Sequence, residues 1–127
     1  MPKPPVYLDN MATTPLDPRV LAVMLPFFTE VFGNPASKIH PYGWQAAEAV
    51  EEARSAVAEF VGASAPREIV FTSGTTESNN LALKGAAEQL RHRGNKIVTC
   101  DAEHISVLNC LRQLAGLGFE VVSLPVD

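Results

Sequence analysis

The segment Ser73-Gly74-Thr75-Thr76-Glu77 combines residue types that bind anions, at a point where a predicted strand gives way to a predicted helix. The first turn of a helix presents backbone N–H groups that have no intrahelical partner, and the helix dipole is positive there, so both favour phosphate. Glycine lets the backbone approach an anion, and the threonine hydroxyls add donors. The spacing matches neither a Walker loop nor a Rossmann Gly-x-Gly-x-x-Gly pattern. The residues alone leave two interpretations open, a phosphate site or ordinary helix capping.

His104 is the second candidate, because it follows another predicted strand in the sequence Asp101-Ala102-Glu103-His104. Ligands of open α/β sheets bind outside the carboxyl ends of the strands, so His104 is expected to share an edge of the sheet with Thr75 and Thr76. An imidazole at that edge can stack on a planar ring or transfer protons near neutral pH. A surface or capping histidine is the alternative interpretation. The other two histidines are weaker candidates.

The elements that must position these residues follow from the spacing of apolar residues and from Gly and Pro. We predict helices over residues 17–32, 44–61, 75–93 and 103–117, and strands over residues 69–71, 96–100 and 119–126. Asp17 is expected to cap the first helix, and Pro26 to kink or split it. Short apolar strands that alternate with helices indicate an α/β fold with a partial, mostly parallel sheet and crossover helices.

Composition and charge exclude several classes of function. The 127 residues are 46% hydrophobic, which is enough for a core, and the net charge of −4 comes without any Lys or Arg run. Nucleic acid is therefore not expected as a partner. No apolar stretch is long enough to span a bilayer, and no secretion signal is recognised. With only Cys100 and Cys110, which form no Cys-x-x-Cys pair, we expect a cytoplasmic protein with free thiols. No metal site is assigned.

Four segments together resemble the NifS/IscS-type cysteine desulfurases, which belong to the class V aminotransferase group of fold-type I pyridoxal-phosphate (PLP) enzymes. They occur in the family's order and spacing along the whole chain. The segments are Tyr7-Leu8-Asp9-Asn10-Met11-Ala12-Thr13-Thr14-Pro15, Phe32-Gly33-Asn34-Pro35-Ala36-Ser37 with His40 and Gly43, Glu68 to Leu81, and Glu103-His104 with Val107-Leu108. One such motif would be weak support, whereas four in register are strong.

The resemblance implies a reaction in which sulfur is removed from L-cysteine, L-alanine is left, and a persulfide is passed on for iron–sulfur clusters or tRNA thiolation. It implies pyridoxal 5'-phosphate as the cofactor, with Thr75 and Thr76 binding its phosphate. His104 would stack on the cofactor ring and assist proton transfer. The implied partners are L-cysteine, a sulfur-acceptor or scaffold protein, and a second copy of the full-length protein. No membrane is implied.

The resemblance also implies that residues 1–15 contribute to a small domain and that residues 16–127 begin the large PLP-binding domain. The family's cofactor-binding lysine and nucleophilic cysteine lie further along the sequence. Neither Cys100 nor Cys110 matches the cysteine loop, and no lysine matches the lysine motif. We therefore expect an N-terminal portion of a longer enzyme, inactive alone.

Two alternatives remain open at this point. The chain could come from another class V enzyme, such as a selenocysteine lyase or an aminotransferase, although the segments Thr13-Thr14-Pro15 and Gly33-Asn34-Pro35 favour the desulfurase branch. It could also be a non-catalytic module for dimerisation or partner binding. The presence of Thr75, Thr76 and His104 argues against such a module, because a protein without cofactor has no use for them.

Overall fold

The computed structural model describes residues 5–126, and the chain divides between Ile69 and Val70 into two compact units. The assignment of residues 1–15 to a small domain concerns the full-length enzyme, so it stays a prediction. The first four of these residues, Lys3 among them, and residue 127 at the end of the predicted large-domain segment lie outside the described residues.

The first unit begins with helix α1, Pro18–Thr29. Asp17 caps it as predicted, since its carboxylate accepts the Arg19 N–H at 2.8 Å, and Pro18 occupies the first turn, where no N–H is needed. The helix is not split at Pro26 but continues to Thr29, short of the predicted end at residue 32. The Pro26 carbonyl accepts the N–H groups of both Glu30 and Val31, which closes the helix.

Helix α2, Pro41–Val61, starts three residues before the predicted start at residue 44. Pro41 occupies the first helical position, to which proline is well suited. His40 caps this helix, because its Nδ1 accepts the Gly43 N–H at 3.1 Å. Gly62 ends it directly after the predicted end at residue 61, with φ at 71° in the left-handed region that favours glycine. A short 3₁₀ helix, Pro66–Glu68, completes this unit.

The second unit contains helix α3, Thr75–Leu90, strand β1, Lys96–Cys100, helix α4, Ile105–Gly116, and strand β2, Glu120–Leu124. The two strands pair in parallel, with Lys96 opposite Glu120 and Cys100 opposite Leu124. Helix α4 is the crossover connection that a parallel pair requires. The predicted α/β class with a parallel sheet is confirmed in this unit.

The core of the second unit lies where α4 meets α3 and the sheet. Its buried side chains are Cys110, Leu111, Leu114 and Phe119. Half-buried apolar side chains of α3 and of both strands, including Leu83, Ile97 and Val121, pack around them. The apolar periodicity of residues 103–117 is therefore explained by one buried face of α4.

The predicted strand at residues 69–71 is wrong. The backbone of Ile69 is extended, with φ −90° and ψ 121°, but the sheet of the described residues has two strands, β1 and β2. Apolar β-branched residues favour an extended conformation, whereas a strand also requires a neighbour for its hydrogen-bond ladder. The sequence pattern indicates the extended conformation, but it contains no information on whether a neighbouring strand is present.

Helix α1 buries none of its residues, although most of them are apolar. Val23 is 69% exposed and Phe28 is 67% exposed. A strongly apolar helix raises the question of a membrane span, but in residues 5–126 no helix is both long and apolar enough to cross a bilayer.

Leu114 is the most deeply buried side chain of the second unit, with 0% of its surface exposed. We expect Leu114→Ala to lower the free energy of unfolding by about 2–5 kcal/mol, because it removes buried methyl groups and leaves a cavity. Urea denaturation followed by circular dichroism measures the loss. The matched control is Gln113→Ala, at an exposed position of the same helix. A similar loss in both variants would contradict this account of the core.

Candidate functional site

The first turn of α3 contains the groups that the sequence predicts to bind an anion. Gly74 is the N-cap residue, with φ 159° and ψ 178°, and the Ser78 N–H closes the first helical bond onto its carbonyl at 3.1 Å. The N–H groups of Thr75, Thr76 and Glu77 precede that bond, so the helix itself gives them no acceptor. Both threonines are exposed, and a Cβ placed on Gly74 would meet no atom within 4 Å. The turn therefore opens onto free space that a phosphate group could occupy.

Glu77 is held on the Ser73 side of this turn. Its Oε2 accepts both the Ser73 Oγ–H and the Ser73 N–H, each at 2.7 Å. The hydroxyl bond, and after it the backbone bond, hold the pKa of the Glu77 carboxyl below its usual range. A capping interaction thus engages the one acidic side chain of the first turn. The threonine hydroxyls take no part in it.

Other local hydrogen bonds brace the same turn. The hydroxyl oxygens of Thr72 and Ser78 lie 2.6 Å apart, and the Ser78 hydroxyl also lies 3.3 Å from the Gly74 carbonyl oxygen. One turn further along the helix, Asn80 Nδ2 donates to the Thr76 carbonyl at 2.9 Å. The polar side chains around Gly74 therefore stabilise one conformation of the turn.

His104 is the N-cap residue of α4, so the capping interpretation is correct for one of its nitrogens. Its Nδ1 accepts the Ser106 N–H at 3.2 Å and lies 2.7 Å from the Ser106 Oγ. Because Nδ1 makes these contacts, Nε2 is the atom that remains for a ligand. The imidazole is exposed, whereas Ser106 beneath it is only 5% exposed. Capping and a role toward a ligand are therefore compatible.

The two candidate regions are joined through Asn79. Its Nδ2 donates to the Ser106 Oγ at 2.8 Å, which connects α3 to the residue that contacts His104. Asn79 follows Thr75 by four residues and therefore lies on the same face of α3. The described contacts do not include a direct one between His104 and Thr75 or Thr76. They place all three at the same end of the second unit.

Sequence reasoning did not single out Asn79 or Ser106. Two weak signals were available: Asn79 stands one turn after Thr75, and Ser106 occupies the second position of α4. Neither signal shows that the two side chains meet, because they are 27 residues apart in sequence.

The Phe32–Gly43 segment lies in the first unit, where its two glycines allow close contact between backbone segments. A Cβ on Gly33 would collide with the Tyr42 carbonyl, and one on Gly43 with the Ser37 carbonyl. The rings of Phe32 and Tyr42 stack with centroids 6.0 Å apart. Any larger residue at either position would therefore clash with the backbone, which explains why the motif has glycine there. The composition of the segment alone does not reveal this.

Neither cysteine of the chain is exposed. Cys110 is 1% exposed within the core, and Cys100 is half-buried at the end of β1. Within residues 5–126 there is also no group of three or more His, Cys, Asp or Glu side chains that could hold a metal ion.

Comparison with known proteins gives the family. The model of the aminotransferase class-V family matches residues 6–127. The chain belongs to the class V aminotransferase family. This class V chain is 57% identical over 122 residues to the cysteine desulfurase IscS of Methylococcus capsulatus (strain Bath), covering 96% of the chain and 30% of that protein. It is also 57% identical over 125 residues to the cysteine desulfurase IscS of Anaeromyxobacter sp. (strain Fw109-5), covering 98% of the chain and 31% of that protein.

Solved structures of similar proteins agree with this family. A NifS-like protein superposes with a TM-score of 0.85 at 45% identity, over 96% of the class V chain and 33% of that protein. DndA from Streptomyces lividans superposes with a TM-score of 0.74 at 48% identity, over 94% of the chain and 33% of that protein. The fold and the family resemblance are confirmed. The chain spans about a third of the length of these relatives.

The Ser73–Glu77 contact makes the start of α3 sensitive to pH. A lowered carboxyl pKa means that the contact stabilises the fold above the unfolded-state pKa of Glu77, and that this contribution is lost as the pH falls through the folded-state value. We expect Ser73→Ala to raise the pKa of Glu77 toward its usual range, as followed by NMR titration of its side-chain carbon. Ser78→Ala is the control, because that hydroxyl contacts Thr72 and Gly74. An unchanged Glu77 titration in Ser73→Ala would contradict the assignment.

Proposed function

We propose that the full-length protein is a PLP-dependent cysteine desulfurase, which removes sulfur from L-cysteine, leaves L-alanine and passes a persulfide to an acceptor. The observation that carries the proposal is the shared position of the α3 N-terminus and His104, linked through Asn79 and Ser106. The names of the relatives support the reaction class. A structural neighbour, SspA, was solved in complex with cysteine, which supports the substrate.

The residues of the second unit suit the two ends of such a cofactor. The free amides of the first turn of α3, with the hydroxyls of Thr75 and Thr76, offer donors to a dianionic phosphate. His104 offers a flat imidazole, with Nε2 available, at the same end of the unit. When bound, the cofactor supplies an electron sink that labilises bonds of an attached amino acid. In this proposal Thr75 and Thr76 bind the phosphate, while His104 stacks on the ring and assists proton transfer.

The remaining parts of the proposal concern the whole protein. We propose that it acts in the cytoplasm as a homodimer and delivers sulfur to an acceptor or scaffold protein for iron–sulfur cluster assembly or tRNA thiolation. Residues 1–15 are proposed to join a small domain, and residues 16–127 to begin the PLP-binding domain. The nucleophilic cysteine is proposed to lie outside this chain, because Cys110 is buried and Cys100 is half-buried. The lysine that holds the cofactor is also proposed to lie outside it, because no lysine of the chain matches the family's lysine motif.

The phosphate assignment is tested by Thr76→Val in the full-length protein. We expect the dissociation constant for pyridoxal 5'-phosphate to rise about tenfold or more, since a hydrogen bond to a charged group is lost. Visible absorbance of the bound cofactor during titration gives the constant. Thr29→Val is the control, because it removes a threonine hydroxyl from helix α1 in the other unit. Equal retention in Thr76→Val and the control would remove Thr76 from the site.

The division of roles is tested by comparing the 127-residue chain with the full-length protein. With pyridoxal 5'-phosphate and a thiol reductant present, we expect the full-length protein to release sulfide from L-cysteine and the 127-residue chain to release none. The physical reason is that neither thiol of the chain is exposed, whereas sulfur abstraction requires an accessible thiolate. A colorimetric sulfide assay measures the release. Enzyme-level turnover by the 127-residue chain would show that the nucleophile has been misplaced.

A further inference from the structure

His104, Ser106 and Asn79 form a line of hydrogen bonds that leads from the candidate ligand-facing imidazole to α3. The Ser106 Oγ lies 2.7 Å from His104 Nδ1 and 2.8 Å from Asn79 Nδ2. The Ser106 N–H adds a third contact, also to Nδ1, at 3.2 Å. Burial increases along the line from the exposed imidazole to the 5% exposed serine, and Asn79 is half-buried.

The backbone N–H of Ser106 fixes the role of His104 Nδ1 in this line. A backbone amide can only donate, so His104 Nδ1 must act as an acceptor and carries no proton. The Ser106 hydroxyl can then donate to the same nitrogen, and its oxygen accepts the Asn79 amide hydrogen. In the neutral imidazole the proton therefore resides on Nε2. The opposite tautomer would direct an N–H of the ring at the N–H of Ser106.

We infer that Ser106 and Asn79 are positioning residues that hold His104 in the Nε2–H tautomer and fix the plane of its ring. The inference rests on the proposed cofactor site, because it concerns the imidazole assigned to stack on the ring. Asn79 also lies on the same face of α3 as Thr75, so its hydrogen bond to Ser106, which in turn contacts His104, links the imidazole to the proposed phosphate-binding turn. The distance between the ring-stacking group and the phosphate donors is thereby set within one unit of the fold.

The tautomer is measured by ¹⁵N NMR of the histidine-labelled full-length protein without cofactor, with His104→Gln used to assign the resonances. We expect an unprotonated Nδ1 and a protonated Nε2 in the unmodified protein. Ser106→Ala removes the hydroxyl donor but keeps the backbone N–H, so we expect the ratio of Nε2–H to Nδ1–H tautomer to fall about fivefold. Ser106→Thr retains the hydroxyl and should restore the ratio.

Asn79→Asp tests the line without altering Ser106. A carboxylate accepts the Ser106 hydroxyl hydrogen, which turns that donor away from His104, so we expect the tautomer ratio to fall as it does in Ser106→Ala. Asn80→Asp is the matched control. It adds the same charge at the next position, where the amide donates to the Thr76 carbonyl and not to Ser106. We expect the His104 tautomer to be unaffected in this control.

Addition of pyridoxal 5'-phosphate separates this inference from the proposed function. If His104 is positioned against the bound ring, Ser106→Ala and Asn79→Asp should shift the visible absorption spectrum of the cofactor while Thr76→Val chiefly weakens its retention. A protonated Nδ1 in the unmodified protein, a tautomer ratio unmoved by both substitutions, or an unshifted spectrum in both would overturn the positioning role. Failure of the unmodified full-length protein to bind the cofactor would instead overturn the proposed function, and with it any role toward the ring.

Discussion

Hydrogen bonds join helices α3 and α4 at both of their ends. The two helices therefore lie side by side and run in the same direction. Asn79 contacts Ser106 near their N-termini, and the Arg91 guanidinium donates to the Leu117 carbonyl at 2.9 Å near their C-termini. Between these ends, Leu114 and Cys110 fill the core. Since each helix is followed by a strand of the same parallel sheet, both N-termini lie at the carboxyl edge of that sheet. The placement of every candidate residue depends on this packing.

The polar residues at the two helix starts serve the fold with one atom and leave another available. His104 caps α4 through Nδ1, which leaves Nε2, and Glu77 caps the Ser73 amide, which leaves the threonine hydroxyls. Helix N-termini suit this dual use because four N–H groups lack intrahelical acceptors and a cap satisfies only one or two of them. The capping and ligand-binding interpretations of these residues are therefore not exclusive.

The sheet explains part of the apolar surface of the chain. Ile97 and Val121 face the core, whereas Val98, on the opposite face of β1, is 59% exposed. Strands of parallel sheets that are covered on both faces are apolar on both faces, and β1 has this composition. The exposed apolar face of β1 is therefore what a parallel strand of a larger, helix-covered sheet would have, and the relatives that the chain matches are about three times its length.

The sequence by itself determined the helices, both strands of the sheet, the α/β class and the candidate residues Thr75, Thr76 and His104. These depend on local rules: apolar periodicity, capping residues and the position of candidate residues just after apolar runs. The tertiary structure alone decided that residues 69–71 are not a strand, that Pro41 begins a helix, and that Asn79 meets Ser106. The first and the third depend on a neighbour that is distant in sequence, and the second on whether Pro41 lies in a turn or in the first turn of a helix. Spacing along the chain contains no distance between residues 27 positions apart, and only the packing of α3 on α4 supplies it.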